Sequence, residues 1–238
     1  MGSLQIFLDE TYVKQPPAEI LAVASVGAFK TQWPRYAKEL CQLSGLRASR
    51  KLEAVHDFVA SRNLRGVIAG ARLDSLGAAS GVRDSFSGMG LIARRDNVWS
   101  QVMEYSAAQL LKRVLENGWL IGTVEALYDS KALSPSHRQV AHEAFRRAVA
   151  REATRFTRRQ KTIRSQVITI AHVGPVAKPA RLAQSSSTQW GIWLAHWVAK
   201  LPHTYAGPSM PPNVEVYDVA PIVRTVLSKM LLSSPSAR

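Results

Sequence analysis

Five stretches of the chain show the apolar pattern of β-strands. The first starts at Leu4, is rich in Leu, Ile and Phe, and ends in two acids, Asp9 and Glu10. Short apolar runs of this kind, bounded by turn residues, are typical of buried strands. The predicted strands cover residues 4–10, 20–29, 65–73, 119–130 and 162–173.

Apolar residues at helical spacing predict helices between these strands. The longest covers residues 134–157, with Ser134 as its N-cap and Pro135 at its first position, where a missing N–H costs nothing. The other predicted helices cover residues 32–44, 49–62, 98–117, 189–201 and 219–232.

Two connections stand out between these elements. Pro16 and Pro17 predict a loop over residues 11–19, because proline cannot continue a strand ladder. The residues 74–97, rich in Gly and Ser, predict a long connection. Strands and helices in this order predict an α/β domain that has a mixed sheet of about five strands and helices on both faces.

The chain length bears on the number of domains. With 238 residues, the chain is long enough for one large domain, or for one domain with a small appendage. We predict one domain over residues 1–201. Residues 202–238 then form a Pro-rich linker and a C-terminal helix, which packs on the domain or extends from it.

The charge of the chain favours a polyanionic partner. The formal net charge is +14 and the isoelectric point is about 10.4. This excess favours DNA or RNA, without deciding between them. An anionic membrane surface, an acidic protein partner and no polyanion at all are the alternatives. The sequence does not settle protein partners or a homo-oligomer.

The sequence also suggests a compartment. It has one cysteine, Cys41, so an internal disulfide is impossible and a reducing compartment is the simplest interpretation. The N-terminus lacks the basic-then-apolar pattern of a signal peptide. No apolar run has the length of a membrane span. We therefore predict a cytoplasmic protein that has no membrane partner.

Acidic residues end two of the predicted strands. Asp9 and Glu10 follow the first strand and Asp129 the fourth, where Glu125 shares its face. If the two strands are neighbours, Asp9 and Asp129 would face each other, and Mg²⁺ or Mn²⁺ would relieve their repulsion. Such carboxylates serve two-metal phosphoryl transfer, with Glu10 or Glu125 assisting. The alternative is that all of these acids are solvated turn residues.

Three motifs, in this order, resemble a bacterial family of unknown function, number 3800, whose fold is similar to ribonuclease H. They are IFLDET at 6–11, EALYDSK at 125–131 and GIWLAH at 191–196. Family members typically have Ser at the position of Thr11 and Asp at the position of His196. The resemblance covers residues 4–201. It implies a ribonuclease H-like sheet, with a site shared by the first motif, the second motif and the closing helix.

The histidine in the closing motif changes what the resemblance implies. His196 stands where the last acid would be, and imidazole suits Mn²⁺ or Zn²⁺ better than Mg²⁺. His196 could instead be a general base or a proton shuttle. It could also be a packed side chain beside Trp193 and Trp197 in a site that has lost its chemistry.

Arginines predict a phosphate-binding surface. Arg147, Arg151 and Arg155 recur every four residues along the long predicted helix and share one face. The alternative is a solvated helix face. The predicted nucleic-acid-binding residues are Arg138, Arg147, Arg151, Arg155, Arg158 and Arg159, together with Arg94 and Arg95 in the Gly- and Ser-rich connection.

The tryptophans of the last predicted helix allow two interpretations. Trp190, Trp193 and Trp197 share one helix face, and aromatic side chains can stack on bases. We favour core packing, since this helix has little else to bury.

Three functions fit these patterns. The first is a metal-dependent nuclease in which Asp9 and Asp129 ligate Mg²⁺ or Mn²⁺ and His196 is a ligand or base. The second is an inactive ribonuclease H-like subunit that binds nucleic acid within a larger complex. The third is a protein–protein adaptor.

Overall fold

A computed structural model describes most of the chain. The described residues are 1–15, 18–72, 92–130, 138–139, 142–143, 145–152, 168–176, 178–179, 185–204, 209–222 and 225. The strands are β1 (Gly2–Gln15), β2 (Ala18–Phe29), β3 (Arg65–Arg72), β4 (Ile121–Asp129), β5 (Thr169–Val176) and β6 (Val214–Asp218). The helices with defined bounds are α1 (Trp33–Ser44), α2 (Ala48–Ser61), α3 (Ile92–Glu116) and α4 (Ser187–Thr204).

The strands form one mixed sheet in the order β5-β4-β1-β2-β3-β6. The pairs β1–β2 and β2–β3 are antiparallel, and β4 runs parallel to β1 and to β5. The predicted α/β class, with a mixed sheet between helices, is therefore confirmed and is consistent with a ribonuclease H-like fold. The sheet has six strands, one more than the sequence predicted.

The loop predicted over residues 11–19 is wrong. The strand β1 continues to Gln15 and β2 begins at Ala18, with their backbones paired as far as Gln15 and Ala18. Backbone pairing in a hairpin satisfies the N–H and C=O groups of both strands up to the turn. The two prolines, Pro16 and Pro17, lie outside the described residues.

The sixth strand lies in the region that was assigned to a linker. The strand β6 covers Val214–Asp218 and pairs in parallel with β3. Its sequence, VEVYD, is too short to show a clear strand alternation, and the prolines before it favour a loop. Of the helix predicted over 219–232, residues 220–222 and 225 are helical, residue 219 is not, and the rest lie outside the described residues.

Other boundaries differ from the sequence predictions. Helix α3 begins at Ile92 rather than at residue 98, so it takes in the end of the Gly- and Ser-rich connection. Most of that connection lies outside the described residues. Strand β5 covers Thr169–Val176 rather than 162–173. The described residues between 138 and 152 are helical, as predicted, although the ends of that helix are not among them.

The sheet buries one hydrophobic layer on each face. Leu4, Ile6 and Leu8 of β1 pack with α3 on one face, together with Phe145 and Val149. Phe7 points to the other face, where α1, α2 and α4 pack. Alternate residues of a strand face opposite sides, which explains this division.

A glycine allows α4 to approach β1 closely. A Cβ atom at Gly191 would lie 2.5 Å from three atoms of the Phe7 ring, nearer than carbon atoms pack. The absence of a side chain at this position therefore seats α4 directly on β1. His196 follows five positions along the same helix, and Asp9 follows two positions along the same strand face.

Within the described ranges, no helix has the length and apolar character that crossing a membrane requires.

Candidate active site

Asp9 and Asp129 lie side by side at one end of the sheet. Their strands are parallel neighbours, paired as far as Leu8 and Tyr128, so each acid follows directly in the register. The side chains share a sheet face because Phe7 and Leu127 are both in the layer beside α4. Asp9 is 1% exposed and Asp129 is 5% exposed. The structure thus brings together the two acids that the sequence placed at strand ends.

Lys178 joins the two carboxylates. Its Nζ lies 2.7 Å from Oδ2 of Asp9 and 3.0 Å from Oδ2 of Asp129. Burial acts to lower the pKa of Lys178, but attraction to the two carboxylates outweighs this and raises the pKa above its usual value. The ammonium therefore stays charged and compensates one of two buried negative charges.

His196 completes the cluster from α4. Its Nδ1 lies 2.9 Å from Oδ2 of Asp9 and 3.3 Å from Nζ of Lys178. A hydrogen on Nδ1 would donate to Asp9, which fixes the ring orientation and leaves Nε2 as the basic nitrogen. The alternative interpretation of packing also has support, since the His196 ring meets Trp197 edge to face at 6.1 Å. Asp9, Asp129, Lys178 and His196 are called the acid cluster below.

Among the described residues, both oxygens of Asp9 are buried without a hydrogen bond, and only Oδ2 has ion-pair neighbours, Lys178 and His196. Oδ1 of Asp9 is buried and has no hydrogen-bond partner within the described part of the chain. A buried carboxylate oxygen without a partner is costly. This oxygen is therefore suited to a further cationic or hydrogen-bonding group.

The expected metal ions need oxygen ligands, which the acid cluster supplies through two carboxylates. The described residues include no group of three or more His, Cys, Asp or Glu side chains arranged to hold a metal, so a two-metal centre does not fit them. The carboxylates of Asp9 and Asp129 do converge on one point, where the Lys178 ammonium takes the place that a single hard cation would need. Mg²⁺ and Mn²⁺ are often held by one or two carboxylates plus substrate phosphate. Asp9 and Asp129 would hold that ion after Lys178 moves away.

Glu10 faces the other side of the sheet. Its Oε2 accepts a hydrogen bond of 2.5 Å from the indole Nε1 of Trp99 on α3. Burial, and then the charge of Asp9, raise the pKa of Glu10 to about 7. Glu10 is therefore separated from the acid cluster by the sheet, although it senses the charge of the cluster.

We expect Glu10→Gln to stabilise the protein at alkaline pH. The folded state holds the Glu10 proton up to about pH 7, while the ordinary pKa is 4.5, so stability falls as pH rises through this window. The variant stays neutral and should gain roughly 1–3 kcal/mol at about pH 8, with no gain near about pH 4. Urea unfolding at both pH values measures this. The exposed Glu53→Gln is the control, and an equal gain at both pH values would contradict the assignment.

Glu125 lies away from the acid cluster. It sits four residues before Asp129 on β4 and pairs with Gln5 of β1 in the register. Its carboxylate accepts from Nζ of Lys30 at 2.6 Å and from Nε2 of Gln5 at 2.7 Å. The structure therefore does not bring Glu125 to Asp9 and Asp129.

The arginines of the helical segment are placed differently from one another. Arg138 donates to the backbone oxygen of Ser130, next to Asp129, at 3.3 Å. Arg147 is exposed. Arg151 lies within 3.6 Å of Glu104 and 3.5 Å of Glu152, so part of its charge is compensated by acids that sequence spacing did not reveal.

The remaining arginines of the predicted surface lie at the start of α3 or outside the described residues. Arg94 and Arg95 lie in the first turn of α3 and not in the connection before it. The prediction for Arg155, Arg158 and Arg159 falls outside the described residues. The arginine surface therefore stays a prediction, with Arg147 and Arg151 as its exposed described members.

Comparison with protein-family models gave no match for this chain, and comparison with curated proteins gave none either.

Proposed function

We propose that this protein is a phosphodiesterase that cleaves nucleic acid at the acid cluster. The observation that supports this best is the convergence of Asp9 and Asp129 on one cationic point, 2.7 and 3.0 Å away, beside His196. The net charge of +14 favours a polyanionic substrate. The resemblance to the ribonuclease H-like family supports the same proposal.

The side chains of the acid cluster suit three tasks in phosphodiester hydrolysis. Asp9 and Asp129 would hold one Mg²⁺ or Mn²⁺, which supplies electrostatic stabilisation of the phosphoryl oxygens when bound. His196, oriented through Nδ1 by Asp9, would exchange a proton at Nε2 with water or with the leaving oxygen. The Lys178 ammonium, once displaced from the carboxylates, would pair with a phosphate oxygen.

A second candidate is a subunit that binds nucleic acid without cleaving it. Its support is Lys178, which fills the place of the cation with a charge that cannot activate water. In this second candidate, His196 stands at the position of a family acid, and Lys178 and His196 together leave no place for a metal ion.

We expect the purified wild-type protein to cleave labelled nucleic acid only when a divalent cation is present. The substrates are single- and double-stranded DNA and RNA, each incubated with Mg²⁺, with Mn²⁺ or with EDTA. Mn²⁺ should support at least as much cleavage as Mg²⁺, because one nitrogen ligand or base lies beside the carboxylates. Gel electrophoresis of end-labelled strands measures the rate and shows the position of the cut.

Two results would overturn this proposal. Binding of these substrates without cleavage under either cation would favour the second candidate. Cleavage that continues at full rate in EDTA would remove the metal from the proposal.

A further inference from the structure

Trp197 holds two lysines at the surface beside the acid cluster. Nζ of Lys200 lies 4.7 Å from the centre of the indole ring, and Nζ of Lys51 lies 5.1 Å from it. Lys51 comes from the first turn of α2, while Trp197 and Lys200 come from α4. Cations within about 6 Å of an aromatic ring are attracted to its face. Two separate helices therefore place two ammonium groups around one ring.

This pair of lysines lies within electrostatic reach of the acid cluster. Burial lowers the pKa of Lys200, the charges of Lys178 and Lys51 lower it further, and Asp9 opposes them. His196 precedes Trp197 on α4 and meets its ring edge to face. The two lysines thus flank the side of the acid cluster on which His196 lies.

Three cations cluster at the start of α2. Arg47, Arg50 and Lys51 stand together around the start of this helix. Within the described ranges, none of the three forms an ion pair with a carboxylate. Trp197 has its own role in packing, since it is partly buried against the layer that contains Trp190. The ring therefore serves as a fixed support beside the two ammonium groups.

We propose that Lys51 and Lys200, positioned by Trp197, form a phosphate subsite for a nucleic-acid strand whose neighbouring phosphodiester lies at Asp9 and Asp129. This inference rests on the proposed function and adds to it the way the strand is held. Lysine presents a point charge that suits a phosphate oxygen without reading a base. The subsite therefore binds strands without sequence preference.

The mutual repulsion of the cations supports a phosphate at this place. Burial is the main reason that the pKa of Lys200 is lowered, and the positive charges of Lys178 and Lys51 lower it further. A bound phosphate would relieve this repulsion and release counterions from the strand. Each lysine contact with a phosphate should therefore appear in the salt dependence of binding.

The test measures binding apart from cleavage. Asp9→Asn protein in EDTA, which should not cut, is titrated with fluorescent single strands of two unrelated sequences. Lys51→Gln and Lys200→Gln should each weaken binding about five- to tenfold and reduce the slope of log affinity against log salt by about one. Trp197→Leu should weaken binding without any change in charge. Lys112→Gln on α3, across the sheet, is the matched control.

The outcomes separate this inference from the proposed function. Unchanged affinity and salt slope in both lysine variants, with wild-type protein still cleaving, would overturn the subsite alone. Displacement of the strand by inorganic phosphate at the same phosphate concentration would show a site for free phosphate instead. A marked difference in the loss between the two sequences would contradict backbone recognition. If the two lysine variants bind more weakly and the wild-type protein never cleaves, the subsite would be supported and the nuclease proposal overturned.

Discussion

Asp9→Asn is expected to abolish cleavage while the protein still folds and binds nucleic acid. The amide has nearly the same volume as the carboxylate, but it carries no charge to hold a cation, and it would accept more weakly from Nδ1 of His196. Removing a group with both roles should lower the rate by about 100-fold or more. Asp129→Asn should have a similar effect on cleavage, because its Oδ2 shares the same cationic point. Initial rates under Mn²⁺ measure both losses.

The control for these variants is Asp57→Asn. Asp57 lies on α2 with its side chain 72% exposed, so the substitution removes one charge without touching the acid cluster. We expect its rate to stay within about twofold of wild type, as surface substitutions rarely do more. Affinity in EDTA should stay high in all three variants, since each removes a negative charge. Cleavage that survives both Asp9→Asn and Asp129→Asn would remove the acid cluster from the mechanism.

The central strands were predictable because a strand that is buried on both sheet faces has a continuous run of apolar residues. Most positions of β2 are apolar, and Leu4, Ile6, Phe7 and Leu8 of β1 are fully buried. Strands β3 and β4 contain shorter buried apolar runs. The edge strand β6 leaves a weaker record: Val216 is 47% exposed, and Pro211 and Pro212 stand just before it. Its pairing with β3 depends on contacts between distant parts of the chain, which local periodicity does not contain.

The acid cluster was predictable in part. Asp9 and Asp129 follow from strand ends and alternation, once β1 and β4 are parallel neighbours. The same alternation explains why Glu10 faces Trp99 on the opposite side of the sheet. Glu125 shares the face of Asp129, but four residues of strand place it about 13 Å away along β4. Alternation predicts a face, and only the register predicts how far along the strand a partner lies.

Lys178 could not be found from sequence pattern. It lies between Pro175 and Pro179 in the sequence GPVAKPA, a stretch that has no periodicity. Its position depends on where β5 ends relative to β4, since β5 is the neighbour of β4 at the sheet edge. The one signal available was charge: two buried acids require a cation, and a lysine after the next strand of the sheet is a candidate source.

Lys178→Ala is expected to destabilise the protein and to make it responsive to divalent cations. Without the ammonium, two almost fully buried carboxylates face each other, and losing one partner of a buried ion pair is costly. Because the Lys178 side chain is 35% exposed, we discount that cost for solvent screening to roughly 1–3 kcal/mol. Mn²⁺ at about 100 times its dissociation constant should then restore about 2.7 kcal/mol. Urea unfolding with Mn²⁺ and with EDTA measures both effects.

The wild-type protein and a variant at an exposed lysine are the two controls for Lys178→Ala. Wild-type protein should respond to Mn²⁺ less than the variant, because its ammonium competes for the same two oxygens. Lys38→Ala, on the exposed side of α1, removes the same charge and should behave as wild type. If Lys178→Ala and wild type gain equal stability from Mn²⁺, then Lys178 does not occupy the cation position. If neither gains any, Asp9 and Asp129 bind no divalent ion, and the acid cluster is a salt-bridge network without a metal.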